Sequence, residues 1–171
     1  MTDSRPPVDR AEAPIEQRAH HLGGAIYGTI LATTVVATAG YDPNKVSKSL
    51  AIVAVTSAVF WLAHVYSLAV AARIVVKRPL HRAEVQSIAV SEWPMLQSSW
   101  PILLVLALGT FHIISRELAI NLAMLVGIGA LFTYGFIMAR QEHLGWTRVL
   151  LNALITGAFG VAILVMKVVV H

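Results

Sequence analysis

Residues 49–76 read SLAIVAVTSAVFWLAHVYSLAVAARIVV, an apolar run broken by a few hydroxyls, by His64 and, near its end, by Arg73. A helix crosses the ~30 Å hydrocarbon layer of a bilayer with about 20 mostly apolar residues. This run is longer than a crossing needs, so the helix it predicts either tilts or extends past the interface.

Working outward, similar runs recur on both sides. The sequence predicts an all-α, membrane-spanning bundle of five helices over about 22–40, 50–75, 93–114, 118–139 and 147–169. The first run ends at Tyr41-Asp42-Pro43-Asn44, a strong turn signal. The third is the ambiguous one. Ser91-Glu92-Trp93-Pro94 and Trp100-Pro101 precede an apolar stretch, Ile102 to Ile114, that is too short to cross alone. Either the helix starts near Ser91, with Pro94 in its first turn and Pro101 kinking it, or an interfacial amphipathic helix leads into a shorter, deeper one. Val85, Ile88, Ala89, Trp93 and Leu96 stand at the helical spacing that such a lead-in needs.

Composition agrees. Of the 171 residues, 57% are apolar and 13% charged, too few charges for the surface of a soluble domain. The mean hydropathy is +0.70 and the net charge +4. The basic residues lie in short clusters between apolar runs, which is a pattern of membrane topology and not a nucleic-acid surface. Cysteine is absent, which excludes thiol catalysis and thiolate metal sites. Residues 1–19 mix Arg, Asp, Glu and Pro, and read as a disordered polar tail preceding a transmembrane domain over 20–171. They lack the short apolar core of a signal peptide.

Basic loops are retained on the cytoplasmic side. With the amino terminus inside, the inner segments hold Arg5, Arg10, Arg18, Arg73, Lys77, Arg78, Arg82, Arg140 and Arg148, against Lys45, Lys48, Arg116 and Lys167 outside. The expected orientation is amino terminus in and carboxyl terminus out. Small residues at four-residue spacing, Gly24 with Gly28 and Ala153 with Gly157, predict close helix packing, within the chain or across a homo-oligomer seam.

His64 is the leading candidate for chemistry. Counted along its own run it lies near the bilayer midplane, where an ionisable side chain is costly and faces a bundle interior or a watery cavity. Ser57, Trp61 and Ser67 share its face, and Thr34 and Asn121 supply polar groups on other helices. The plainer account is a neutral imidazole hydrogen-bonded to a neighbouring helix. The sharper one is a proton relay or substrate site, since histidine changes charge near neutral pH. At the inner interface Glu92 is expected to pair with Arg73 or Arg148, unless all three simply anchor there. His112 lies too far along the chain from His64 to share a haem with it, and no metal, cofactor or catalytic set is expected.

Phe60-Trp61-Leu62-Ala63-His64-Val65-Tyr66, Glu92-Trp93-Pro94 with Trp100-Pro101, and Lys167 to His171 together resemble small actinobacterial multi-pass membrane proteins. That resemblance covers most of the chain and implies a bacterial plasma-membrane location, but brings no activity with it. Two roles follow as expectations. In one, a small solute or protons pass through a polar pocket around His64. In the other, the protein is a non-catalytic scaffold or accessory subunit. An enzyme or b-type cytochrome is a distant third.

Overall fold

A computed structural model describes residues 7–38, 46–141 and 145–170. Among these residues there is no strand, and the helices are α1 (Pro7–Thr38), α2 (Val46–Val76), α3 (Arg82–Ser91), α4 (Trp93–Gln97), α5 (Trp100–Thr110), α6 (Arg116–Gln141) and α7 (Trp146–Val170). Four stretches are long and apolar enough to cross a membrane: His21–Thr38, Val46–Val76, Arg116–Arg140 and Trp146–Ile163. They correspond to the first, second, fourth and fifth expected spans. The Tyr41-Asp42-Pro43-Asn44 turn lies outside the described residues.

The third expected span takes a different form. It is divided among α3, α4 and α5, and α5 alone is about 16 Å long at ~1.5 Å per residue. Pro94 and Pro101 lie in the first turns of α4 and α5, where a missing N–H leaves no bond unmade. Each therefore begins a helical segment. A lead-in helix is present as α3, but it stops at Ser91, and Trp93 and Leu96 belong to α4. At the other end α5 stops at Thr110, four residues before Ile114, and His112 adopts a left-handed φ of 60°.

The break between α4 and α5 is slight. Ser98 (φ −62°, ψ −21°) and Ser99 (φ −79°, ψ −17°) both remain in the right-handed region. Ser99 donates its N–H to Leu96 and the Leu103 N–H returns to Ser99, so one turn tightens and the chain continues. The polar tail also differs from expectation, because α1 is helical from Pro7. Proline suits a first helical position, and residues 11–19 include Ala, Glu, Gln and Arg, good helix formers that extend a helix already nucleated by its apolar part.

The central helix is α6, packed against α1, α5 and α7. Its contacts are made by small residues. A Cβ at Gly127 would overlap the Thr33 hydroxyl, and one at Gly135 would lie 2.8 Å from Thr156 Cβ. On α7, a Cβ at Gly157 would overlap the Phe132 ring. Ala32, Val36, Leu106, Ala119 and Ala123 are buried around this centre. The Thr29 and Thr33 hydroxyls, fully buried in α1, donate to the Ala25 and Thr29 carbonyls one turn back. Gly28, Ala153 and Gly157 are buried within the single chain.

By contrast, α2 lies at the margin, against α1, α3, α4 and α5. The chain from Glu92 to Gly109 runs antiparallel along it. Glu92 meets His64, Ser99 meets Ser57, and Gly109 faces Val46. Beyond His64 the last three turns of α2 continue alongside α3.

Candidate functional site

Ser57, Trp61 and His64 recur at helical spacing, so one face of α2 carries all three. Opposite that face, the segment from α3 to α5 is interrupted twice, at Glu92 and at Ser98-Ser99. These interruptions supply the partners. The Ser99 hydroxyl donates to the Ser57 Oγ across 3.0 Å, both side chains being buried. The Trp93 ring stands edge-on to Trp61, centroids 5.8 Å apart and planes at 86°. Glu92 Oε2 is 3.4 Å from His64 Nε2.

Glu92 is only 2% exposed, whereas the His64 side chain is 41% exposed. The carboxylate thus lies inside the bundle and the imidazole at its surface. Local chain geometry puts it there. Glu92 caps α3, with its N–H bonded to the Ile88 carbonyl, and it precedes α4, with its own carbonyl accepting from Met95. Because Pro94 lacks an N–H, the α3 ladder cannot run on through this point, and the turn swings the Glu92 side chain toward α1. There Gly24 gives it room: a Cβ at Gly24 would be 3.8 Å from Glu92 Oε2. One turn further along α1, Gly28 presses directly on the Met95 carbonyl and the Ser98 hydroxyl. The Tyr27 ring completes the wall, 6.3 Å from His64.

Trp61 Nε1 is buried and has no hydrogen-bond acceptor among the described residues. An unmet buried donor costs about 1–3 kcal/mol. It belongs to the same stripe, one turn from His64.

The other expected members stand elsewhere. Ser67 is exposed. The Thr34 hydroxyl is partly buried and donates to the Ile30 carbonyl of its own helix, 2.8 Å away. Asn121 is exposed near the start of α6, toward the opposite end of the bundle. Neither joins the cluster. The expected Arg73–Glu92 or Arg148–Glu92 pair is replaced by His64–Glu92. Arg73 is exposed nine residues further along α2, about 13.5 Å at ~1.5 Å per residue. Arg148 is exposed in the first turn of α7. His112 lies just past the end of α5, with its Nε2 2.6 Å from Arg116, while His64 lies beside the start of α4. Sequence reasoning found the α2 stripe but missed Glu92 and Tyr27 as its neighbours. The available signal was a carboxylate immediately before Trp-Pro in an otherwise apolar segment.

Chemically, the imidazole and the carboxylate stand within ion-pair distance of each other. No cluster of three metal-ligating side chains occurs among the described residues. No family model matches the chain, and neither a curated protein nor a solved structure is significantly similar to it.

Proposed function

We propose that this chain is a non-catalytic, five-crossing membrane protein of the accessory or scaffold type, in which the His64–Glu92 pair clasps a discontinuous third crossing to α1 and α2. The burial of Glu92 against His64 carries this reading. A carboxylate is placed inside an apolar bundle at the point where the helix breaks, and an imidazole on the neighbouring helix meets it.

The five-crossing arrangement rests on helix register. From Trp93 to Thr110 the chain rises about 27 Å if helical throughout, close to the ~30 Å hydrocarbon layer. Within that length, apart from Lys48 at its outer edge, α1, α2, α4, α5 and α6 carry no Lys, Arg or Asp. Lys48 and Arg116 flank one boundary, near Val46 and Gly109; Arg73, Arg140 and Arg148 lie past the other, beyond His64 and Glu92. The larger basic cluster marks the second boundary as cytoplasmic. On this placement His64 lies close to the inner boundary and not at the midplane, because the last turns of α2 project from the layer with α3. The resemblance to actinobacterial membrane proteins adds a bacterial plasma membrane as the location.

A second reading, movement of protons or a small solute, draws on one observation: the buried Glu92 carboxylate stands 3.4 Å from the half-exposed His64 ring. Against it, the polar groups do not line up across the bundle. Thr29, Thr33, Thr34 and Thr38 all bond back along their own helix, and Asn121 stands apart.

His64→Ala separates the two. The clasp predicts that detergent-purified His64→Ala melts several degrees below wild type, and that wild-type proteoliposomes loaded with a pH dye leak no faster than empty liposomes. Unchanged melting together with a wild-type leak that disappears in His64→Ala would reject the clasp in favour of permeation.

A further inference from the structure

The elbow between α2 and α3 forms a two-part cavity that the clasp does not use. One part, about 410 Å³, is walled by Arg73, Ile74, Lys77, Arg78 and Pro79. The adjoining part, also about 410 Å³, is walled mainly by Leu62, Tyr66, Val70, Leu80 and Val85. Val70, Arg73 and Pro79 border both. A basic mouth thus opens directly onto an apolar groove.

The charges of the mouth are not equivalent. The Arg78 guanidinium is held by Glu84 through two bonds of 2.9 and 2.7 Å, which fixes the elbow. Arg73 and Lys77 are exposed, one helical turn apart, and among the described residues neither has a carboxylate partner. Lys77 holds a left-handed φ of 55° and donates its N–H to the Arg73 carbonyl, closing the end of α2. The walls are bare: Ile74 at the mouth and Tyr66 in the groove are each 71% exposed.

We propose that this elbow binds an anionic phospholipid, with its phosphate between Arg73 and Lys77 and one acyl chain along the groove past Val70, Tyr66 and Leu62. The chemistry matches at both ends. Guanidinium and ammonium groups recognise phosphate oxygens, basic residues at the cytoplasmic face attract anionic headgroups, and an apolar channel continuing into the hydrocarbon layer suits a chain and not a free ion. The assignment rests on the membrane placement above, in which the foot of the groove, at Leu62, meets the inner boundary beside His64 and the basic mouth stands on its cytoplasmic side.

The test uses the full chain, extracted in a neutral detergent, delipidated, and offered dioleoyl phosphatidylglycerol or dioleoyl phosphatidylcholine before native mass spectrometry. Wild type is expected to retain phosphatidylglycerol over phosphatidylcholine. R73Q/K77Q is expected to lose about thirtyfold of that retention, at about 1 kcal/mol for each near-surface cation removed, and K48Q, at the far end of α2, to lose none. A69F, which narrows the groove and keeps both cations, is expected to lose retention as well; circular dichroism checks that each variant is folded. Equal retention of the two lipids, an equal loss in K48Q, or displacement of the lipid by millimolar inorganic phosphate alone would overturn the lipid site. A chain released from membranes by alkaline carbonate without detergent would overturn the membrane placement itself.

Discussion

The seam joining α6 to α1 and α7 and the seam joining α2 to α3, α4 and α5 are held by different means. In the first, glycines remove side-chain volume and let backbones approach: Gly127 against Thr33, Gly135 against Thr156, Gly157 against Phe132. Polar groups there are satisfied locally, since the Thr29 and Thr33 hydroxyls bond to carbonyls one turn back. In the second, side chains reach across in a ladder of Ser57–Ser99, Trp61–Trp93 and His64–Glu92. Lipid offers no hydrophobic drive between helices, so association depends on close packing or on interhelical polar contacts. The unbroken helices use the first. The broken segment, whose interruptions carry polar side chains, uses the second.

The largest effect is expected where the two means meet, at Gly28 of α1. A Cβ there would overlap the Met95 carbonyl, which is backbone and cannot rotate away, as well as the Ser98 hydroxyl. Overpacking costs typically 1–3 kcal/mol, and Gly28→Val belongs at or above the top of that range, about 3 kcal/mol. Its melting temperature in detergent should fall furthest of all the variants. Gly157→Val, which meets only a movable phenyl ring, should cost less. If the order is reversed, the α1–α4 contact is looser than described.

Next comes the clasp. Removing one partner of an ion pair with a buried member costs more than neutralising both, because the remaining charge is less well compensated. His64→Ala is expected to lose about 1 kcal/mol, since it takes one half-exposed partner away from the Glu92 carboxylate. Glu92→Gln in the His64→Ala background should recover part of that loss. The sharpest comparison is therefore the double variant against His64→Ala alone. Equal or lower stability of the double variant would show that the pair is not coupled.

Ser57→Ala and Ser99→Ala probe the same ladder on a smaller scale. Interhelical hydrogen bonds in membranes average about 0.6 kcal/mol by double-mutant cycle, so the coupling between the two serines should be near that value. Additive single losses would leave Trp61–Trp93 and His64–Glu92 as the effective contacts.

Much of the bundle could be read along the chain, since a span of about 20 apolar residues is a local property. What escaped was set by neighbours. Trp93-Pro94 and Trp100-Pro101 can equally kink a helix or begin one, and the choice depends on how Glu92 and Ser99 pack against α2. The depth of His64 depends on the same neighbours: counted along its own run it lies near the middle, whereas on the proposed placement, which takes the layer from the ends of the helices beside α2, it lies nearer the inner boundary. The stripe Ser57, Trp61, His64 was visible, but its partner, Glu92, lies on another helix whose register no spacing rule specifies. Thr34 and Asn121 were candidates by residue type alone, and nothing in the sequence distinguished a hydroxyl that bonds back from one that faces a cavity.

The smallest effect lies at the elbow, where a polar contact between exposed side chains can be compared with the buried ladder. Arg78 binds both Glu84 oxygens, and Glu84 also accepts the His81 backbone N–H across 2.7 Å at the start of α3. The Arg78 bonds, and then the His81 N–H, lower the Glu84 pKa from the ordinary 4.5 to about 2. A carboxyl whose folded pKa is depressed stabilises the fold fully above its unfolded pKa, and that contribution is lost as pH falls through the folded value. The elbow should therefore hold unchanged down to about pH 4.5 and loosen between there and about pH 2. Salt should weaken it, because both groups are in water. Carbon NMR of the Glu84 carboxyl in detergent micelles reads this directly. In Arg78→Gln the midpoint should move most of the way back toward the ordinary value, the Ser57–Ser99 coupling staying as it was. A midpoint that does not move would make the His81 N–H the main cause of the low value, and the elbow would then be fixed by its helix cap and not by the ion pair.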